Sequence, residues 1–235
     1  MDDTAFYYLY PNLDNEVYYQ HNMGYGGKLK FGSDFNLKTN AWYDACRIAV
    51  GGMPIPDEDP CHDYHIYNPR YKFVDWIENL NNQPSSTMFF SKRIMDVLKK
   101  YKIDTHKIYP TIWERRGVMI PDYYYHLQLF GDQIDNIDFE NSIFDIRLFI
   151  SDEIVESNVK IKDLTELINF NMENAALKLY GNKVILKGEQ LDLFRISTLG
   201  NRPTPIISDA LKLELDRISD NFNFGSPKKW IKFTN

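Results

Sequence analysis

Hydrophobic and polar positions follow two different periods along this chain, and the changes between them mark its elements. Phe6-Tyr7-Tyr8-Leu9-Tyr10 ends at Pro11 and predicts a short strand, because aromatic side chains suit a pleated surface. From Asn12 to about Asp63 no period is sustained. Gly24-Tyr25-Gly26-Gly27 and the run from Gly51 to Pro60 are turn and loop chemistry. The pattern predicts a loop-rich, aromatic N-terminal region, residues 1–70, packed on a more regular body, residues 71–235.

The body alternates helical and strand patterns. Ser91 is placed to cap a helix starting at Lys92, with Ile94, Leu98 and Tyr101 on one face. His106 to Trp113 reads as a strand, and Val118 to Phe130 as a longer one. Ile161 to Tyr180 has the helical period through Leu164, Leu167, Ile168 and Leu177, with Ala175-Ala176 inside it and Gly181 as its stop. Lys183–Lys187 and Leu191–Ser197 predict a hairpin around Gly188-Glu189. Ser208 caps a last helix with Leu211, Leu215 and Ile218 inward, and Trp230-Ile231-Lys232-Phe233 closes as a strand. Helices and strands of mixed order predict an α+β fold of mixed sheet elements and a few amphipathic helices.

The late elements echo the earlier ones. At an offset of 117 residues, Asp75 falls on Asp192, Thr87 on Thr204, Ser91 on Ser208, Pro110 on Pro227 and Trp113 on Trp230. Apolar positions coincide between them: Trp76 with Leu193, Ile77 with Phe194, Phe89-Phe90 with Ile206-Ile207, and Ile94, Leu98 and Tyr101 with Leu211, Leu215 and Ile218. The echo suggests two related strand–helix–strand units, about residues 73–113 and 190–233, sharing a core that neither buries alone.

Charge and cysteines narrow the function classes. With 27 Lys+Arg against 33 Asp+Glu, the net charge is -6, which argues against a nucleic-acid backbone binder and suits a basic protein partner. Cys46 and Cys61 are too few for a disulfide scaffold and read as reduced thiols. No stretch approaches the roughly 18–20 apolar residues of a membrane helix, and the Met1-Asp2-Asp3-Thr4 start lacks the basic residues of a signal peptide. The expectation is a cytoplasmic protein without membrane contact.

Candidate chemistry is sparse. Cys61-His62-Asp63-Tyr64-His65 offers sulfur and imidazole to a metal, and a metal-dependent hydrolase using Cys61, His62 and His65 is the enzymatic alternative. Its spacing to Cys46 matches no common zinc pattern, so an ordinary polar loop is the preferred reading. Gly24-Tyr25-Gly26-Gly27-Lys28 lacks the Lys-Ser/Thr pair of a phosphate loop. No Gly-x-Ser-x-Gly elbow is present, and the helix-capping role accounts for Ser91 and Ser208. No catalytic residue, metal ligand or cofactor is assigned. The 16 Tyr and 15 Phe fill cores for the most part, and a ligand-binding module with an aromatic surface is a further alternative.

The order of several short motifs is nonetheless familiar. Phe89-Phe90-Ser91-Lys92-Arg93-Ile94, then Tyr109-Pro110, Tyr123-Tyr124-Tyr125-His126-Leu127 and Asp135-x-x-Asp138 are followed by Leu193-Phe194-Arg195, Ile206-Ile207-Ser208 and the closing Trp230-Ile231-Lys232-Phe233. Over residues 70 to 233 this order resembles a bacterial immunity-protein family, the eleventh named among polymorphic toxin systems and formerly a domain of unknown function. In that family the final Gly runs almost directly into the last strand, whereas here Ser226-Pro227-Lys228-Lys229 follow Gly225.

The resemblance implies a cytoplasmic, non-enzymatic protein that binds and neutralises a cognate toxin C-terminal domain in interbacterial competition. Against a toxin with a basic cleft, such as a nuclease, acidic residues would speed association. The expected partner-binding residues are Tyr123, Tyr124 and Tyr125 with Asp132, Asp135, Asp138 and Glu140, and then Asp57, Glu58 and Asp59.

Overall fold

In the computed structural model, which describes residues 4–11, 30–31, 63–66, 75–77, 87–115, 118–120, 123–197, 199 and 204–234, the N-terminal aromatic run forms strand β1 (Phe6–Pro11). Along the chain follow β2 (Lys30–Phe31), β3 (Asp63–Ile66), β4 (Trp76–Ile77), β5 (Thr87–Ser91), α1 (Lys92–Leu98), β6 (His106–Pro110), β7 (Ile112–Arg115), β8 (Val118–Ile120) and β9 (Tyr124–Leu129). The second half has β10 (Ile143–Leu148), β11 (Ile154–Val159), α2 (Leu164–Glu173), β12 (Leu177–Lys187), β13 (Leu193–Phe194), β14 (Ile206–Ser208), α3 (Asp209–Ile218), β15 (Phe222–Phe224) and β16 (Ile231–Thr234). The fold is α+β. Among the described residues the sheet orders are β4-β5-β9-β6, β13-β14-β1-β15, β2-β3-β7-β8 and β11-β10-β12-β16.

Positions 117 residues apart make the same bonds. Trp76 pairs with Phe90 and Ile77 with Phe89; correspondingly, Leu193 pairs with Ile207 and Phe194 with Ile206. The carbonyls of Asp75 and Asp192 accept from the amides of Ser91 (2.9 Å) and Ser208 (3.0 Å). Both aspartate carboxylates accept from the serine hydroxyl, each at 2.6 Å. Asp75 also accepts from Ser219 Oγ at 2.6 Å, beyond the second unit's helix, and Asp192 accepts from Lys102 N at 3.0 Å, beyond the first unit's helix. Positions 102 and 219 are themselves 117 apart, so each unit's aspartate holds the end of the other unit's helix.

Each of these sheets holds one inner strand from outside its strand–helix–strand unit, β9 between β5 and β6 and β1 between β14 and β15. Ser91, Phe90 and Phe89 pair with Tyr124, Tyr125 and His126 of β9, while Ser208, Ile207 and Ile206 pair with Phe6, Tyr7 and Tyr8 of β1. Strand β1 thus completes the late sheet, and β9 the early one. The alternation of side chains along β1 serves two cores. Leu9 lies in a core with Phe90, Ile94, Leu98, Ile207, Leu211 and Leu215, where α1 and α3 meet both sheets, and Tyr7 packs against it. Phe6 lies in a second core with Phe144, Leu167, Leu179, Leu186 and Phe194, with Tyr8 packed against it. Each such buried side chain contributes about 1.5–3 kcal/mol.

Several expected elements are revised. His106–Trp113 is two strands in different sheets, because Pro110 has no N–H to continue the ladder and the buried Thr111 hydroxyl instead donates to Tyr124 O at 2.6 Å. Val118–Phe130 is likewise two strands, β8 and β9. The helix expected over Ile161–Tyr180 is only Leu164–Glu173: Asp163 caps its start by accepting from Glu166 N at 2.9 Å, and Leu177 and Gly181 belong to β12. The hairpin around Gly188-Glu189 does not form. Strand β12 pairs with β10 and, in parallel, with β16, while Leu193–Phe194 crosses to β14. Ser91 stands at the N-cap of α1 without a side-chain cap bond, its hydroxyl being committed to Asp75, whereas Ser208 does accept from Leu211 N at 3.3 Å.

Candidate functional site

The expected partner-binding residues divide by environment. Tyr124 is wholly buried and therefore has no surface to offer a partner; Tyr123 and Tyr125 are half-buried. Asp132 is committed internally, accepting from Ile134 N at 3.1 Å and Ser197 N at 3.0 Å, with Arg195 Nε 3.8 Å away. Asp138 accepts from Asn141 Nδ2 at 2.9 Å and faces Lys187 at 3.9 Å; the Asn141 bond is the main cause holding its carboxyl below the usual range. These two aspartates act as loop fasteners. Asp135 and Glu140 are exposed. Asp57, Glu58, Asp59, Cys46, Cys61 and His62 lie outside the described residues, and His65 falls in β3. No three His, Cys, Asp or Glu side chains among the described residues converge as metal ligands, and no helix there is long and apolar enough to cross a membrane.

Exposed apolar side chains concentrate elsewhere, on one hairpin and the helix after it. Phe149 and Ile150 occupy the turn between β10 and β11, Ile154 and Val155 begin β11, and Ile168 and Met172 lie one turn apart on α2. Ile150 is 96% exposed and Met172 78%. Phe149 N donates to Ala176 O at 2.9 Å, which extends the β10–β12 ladder and ties the hairpin turn to the link between α2 and β12. Strand β11 is a sheet edge, and all its residues except half-buried Val159 are exposed. Its register against β10 shifts twice, and Asn158 takes a left-handed φ of 61°. Such irregularity blunts an edge as a template for open-ended strand pairing while leaving its side chains available. From residue 149 to 178 there are six carboxylates against three lysines, and Glu153, Glu156, Glu166 and Glu173 are all exposed around the apolar residues.

Beside this hairpin opens a cavity of about 490 Å³, with Tyr8 and Tyr10 of β1, Tyr180 of β12 and Trp230 among its walls. Two cations line it. Arg147 of β10 lies over the Tyr180 ring at 5.0 Å, and Lys228 over the Tyr8 ring at 4.7 Å. Arg147 Nη2 is 3.5 Å from Asp145, but its buried Nε makes no hydrogen bond. Among the described residues Lys228 has no carboxylate within 4 Å. Burial, and then the charge of Arg147, pull the Lys228 ammonium below its usual range. The remaining charge is Asp152, which accepts from Tyr180 Oη at 2.6 Å. Tyr8 is pushed up to about 12 by burial and by Tyr10. By pairing register the early sheet has His126 where the late one has Tyr8, and His126 is fully buried between Phe89 and Tyr109.

Neither surface was apparent in the sequence. Arg147 and Lys228 are brought together by pairing of distant strands, which leaves no local signal. The hairpin has a faint one, Ile154-Val155 flanked by Asp152-Glu153 and Glu156, where an edge strand carries uncovered apolar residues. Comparison with protein-family models finds no match, and comparison with curated proteins finds none either.

Proposed function

We propose that this chain is a cytoplasmic immunity protein, a non-enzymatic inhibitor that binds a cognate antibacterial toxin domain and occludes its active site or substrate surface. The observation that carries the reading is the apolar surface of the β10–β11 hairpin and α2. Large exposed side chains gathered on one hairpin and the helix after it, with charge around them, are the composition of a docking site: the apolar residues supply affinity and the charged ones supply steering. Ile150, Val155 and Met172 are the anchors. The surrounding carboxylates favour a toxin domain with a basic face, and a nuclease or another enzyme with a basic cleft has one. The resemblance of its motif order to the immunity family, read from the sequence, supports the same reading.

Calorimetry against the toxin C-terminal domain encoded directly upstream tests it. The wild-type protein is expected to bind one-to-one and saturably. A variant carrying Ile154→Asp and Val155→Asp, shown by circular dichroism to be folded, is expected to bind at least about tenfold more weakly, a loss of about 1.4 kcal/mol. No heat of binding between two folded proteins would sink the reading, and undiminished affinity in the variant would move the interface away from this hairpin.

A further inference from the structure

We propose that the cavity between Tyr8, Arg147, Tyr180, Lys228 and Trp230 binds a nucleoside phosphate. This inference stands apart from the toxin reading, since it concerns a small ligand in a concave site. A volume of about 490 Å³ is within the about 300–1,000 Å³ common for small-molecule sites. The chain is acidic, with a net charge of -6, yet this cavity is lined by two cations, Arg147, which faces Asp145 at 3.5 Å behind it, and Lys228, and by the one carboxylate Asp152. Both cations rest on aromatic rings, which support a positive charge without neutralising it. A phosphate, carrying about 1.5 to 2 negative charges near neutral pH and three strong acceptor oxygens, matches two adjacent cations. Burial, and then repulsion from Arg147, depress Lys228, and the same anion opposes both by favouring its charged form.

The remaining walls specify what the phosphate is attached to. Tyr10, Tyr180 and Trp230 present rings on which a flat base can stack, a contact of about 1–3 kcal/mol that tolerates any base. Asp152 and the Tyr180 hydroxyl bring polar atoms suited to sugar hydroxyls. The early sheet has no counterpart to this lining at His126, so a single site per chain is expected.

The test is calorimetry on the full chain with the four nucleoside 5′-monophosphates, the four nucleosides and inorganic phosphate, repeated with Arg147→Gln and Lys228→Gln. At least one monophosphate is expected to bind about tenfold more tightly than its nucleoside and than phosphate alone. Each variant should weaken that binding about tenfold while the far-ultraviolet spectrum stays unchanged. Trp230→Phe keeps the fold legible if either charge variant misfolds: it should abolish ligand-dependent quenching of the tryptophan fluorescence. Absence of saturable binding by all four monophosphates would overturn the proposal. So would a nucleoside binding as tightly as its monophosphate, or equal affinity in wild type and both charge variants.

Discussion

Replacing Asp75 by Ala removes the junction between the two halves of the molecule, and its cost can be worked from the bonds it makes. The carboxylate is buried and accepts from Ser91 Oγ at 2.6 Å, Ser219 Oγ at 2.6 Å, Arg93 Nε at 2.7 Å and Arg93 Nη2. The Arg93 side chain is 62% exposed, so solvent screens that ion pair to about 0–1 kcal/mol. The two hydroxyl bonds to a buried charge are each worth about 1.5–3 kcal/mol, and they are shared across one network, so about 3–5 kcal/mol is expected in all. For a chain of this length that lowers Tm by roughly 6–20 °C, at about 2–4 °C per kcal/mol. Urea denaturation followed by circular dichroism measures it, on Asp75→Ala, Ser219→Ala and Arg93→Ala. Arg93→Ala should cost under about 1 kcal/mol. A cost below about 1 kcal/mol for Asp75→Ala, or an equal cost for Arg93→Ala, would refute the assignment of the energy to the buried hydroxyl bonds.

Other expectations follow from the same structure. Asp192→Ala should cost less than Asp75→Ala, about 1–3 kcal/mol in the same urea assay, because Asp192 is half-buried and among the described residues its carboxylate accepts only from Ser208 Oγ and Lys102 N. Burial by itself raises the Asp75 carboxyl, but hydrogen bonds from Arg93, Ser219 and Ser91, with the Arg93 charge, hold it below 3.8. Its contribution is therefore complete above about pH 3.8 and is lost as pH falls through the lower folded value, so Asp75→Asn should flatten the acid limb of a stability–pH curve. Gly181→Ala puts a methyl 2.5 Å from the Trp230 ring and 2.8 Å from Val184; about 1–3 kcal/mol of destabilisation and a shifted tryptophan emission are expected. Tyr124→Ala should cost about 3–5 kcal/mol in urea, since its side chain is fully buried.

What the sequence made legible was local. The strand at Phe6–Tyr10 and the helices starting after Ser91 and Ser208 rest on period and on residues within a few positions of each other, and the echo compares two such local patterns. The misread segments are those where distant pairing decides. Ala175-Ala176 and Leu177 fit a helical period, yet β10 on one side and β16 on the other draw Leu177–Lys187 into a strand that runs through Gly181. Partner choice is also non-local for β1, which enters the late sheet as β9 enters the early one, although Phe6-Tyr7-Tyr8-Leu9 and Tyr124-Tyr125-His126-Leu127 share a pattern that could have suggested equivalent places. The proposed surfaces were harder still. Acidic residues such as Asp132 and Asp138 look like a partner patch in sequence, but as fasteners of their own loops they have their oxygens already engaged. The cavity depends on Arg147 and Lys228, which share no motif.

The central claim, that the β10–β11 hairpin and α2 dock on a toxin domain, is tested most directly by amide hydrogen exchange of this chain with and without the upstream-encoded toxin domain. Protection is expected to rise over residues 149–159 and 164–173, while the early sheet around β5 and β9 exchanges as before. Unchanged exchange across the hairpin and α2 at saturating toxin domain would contradict it.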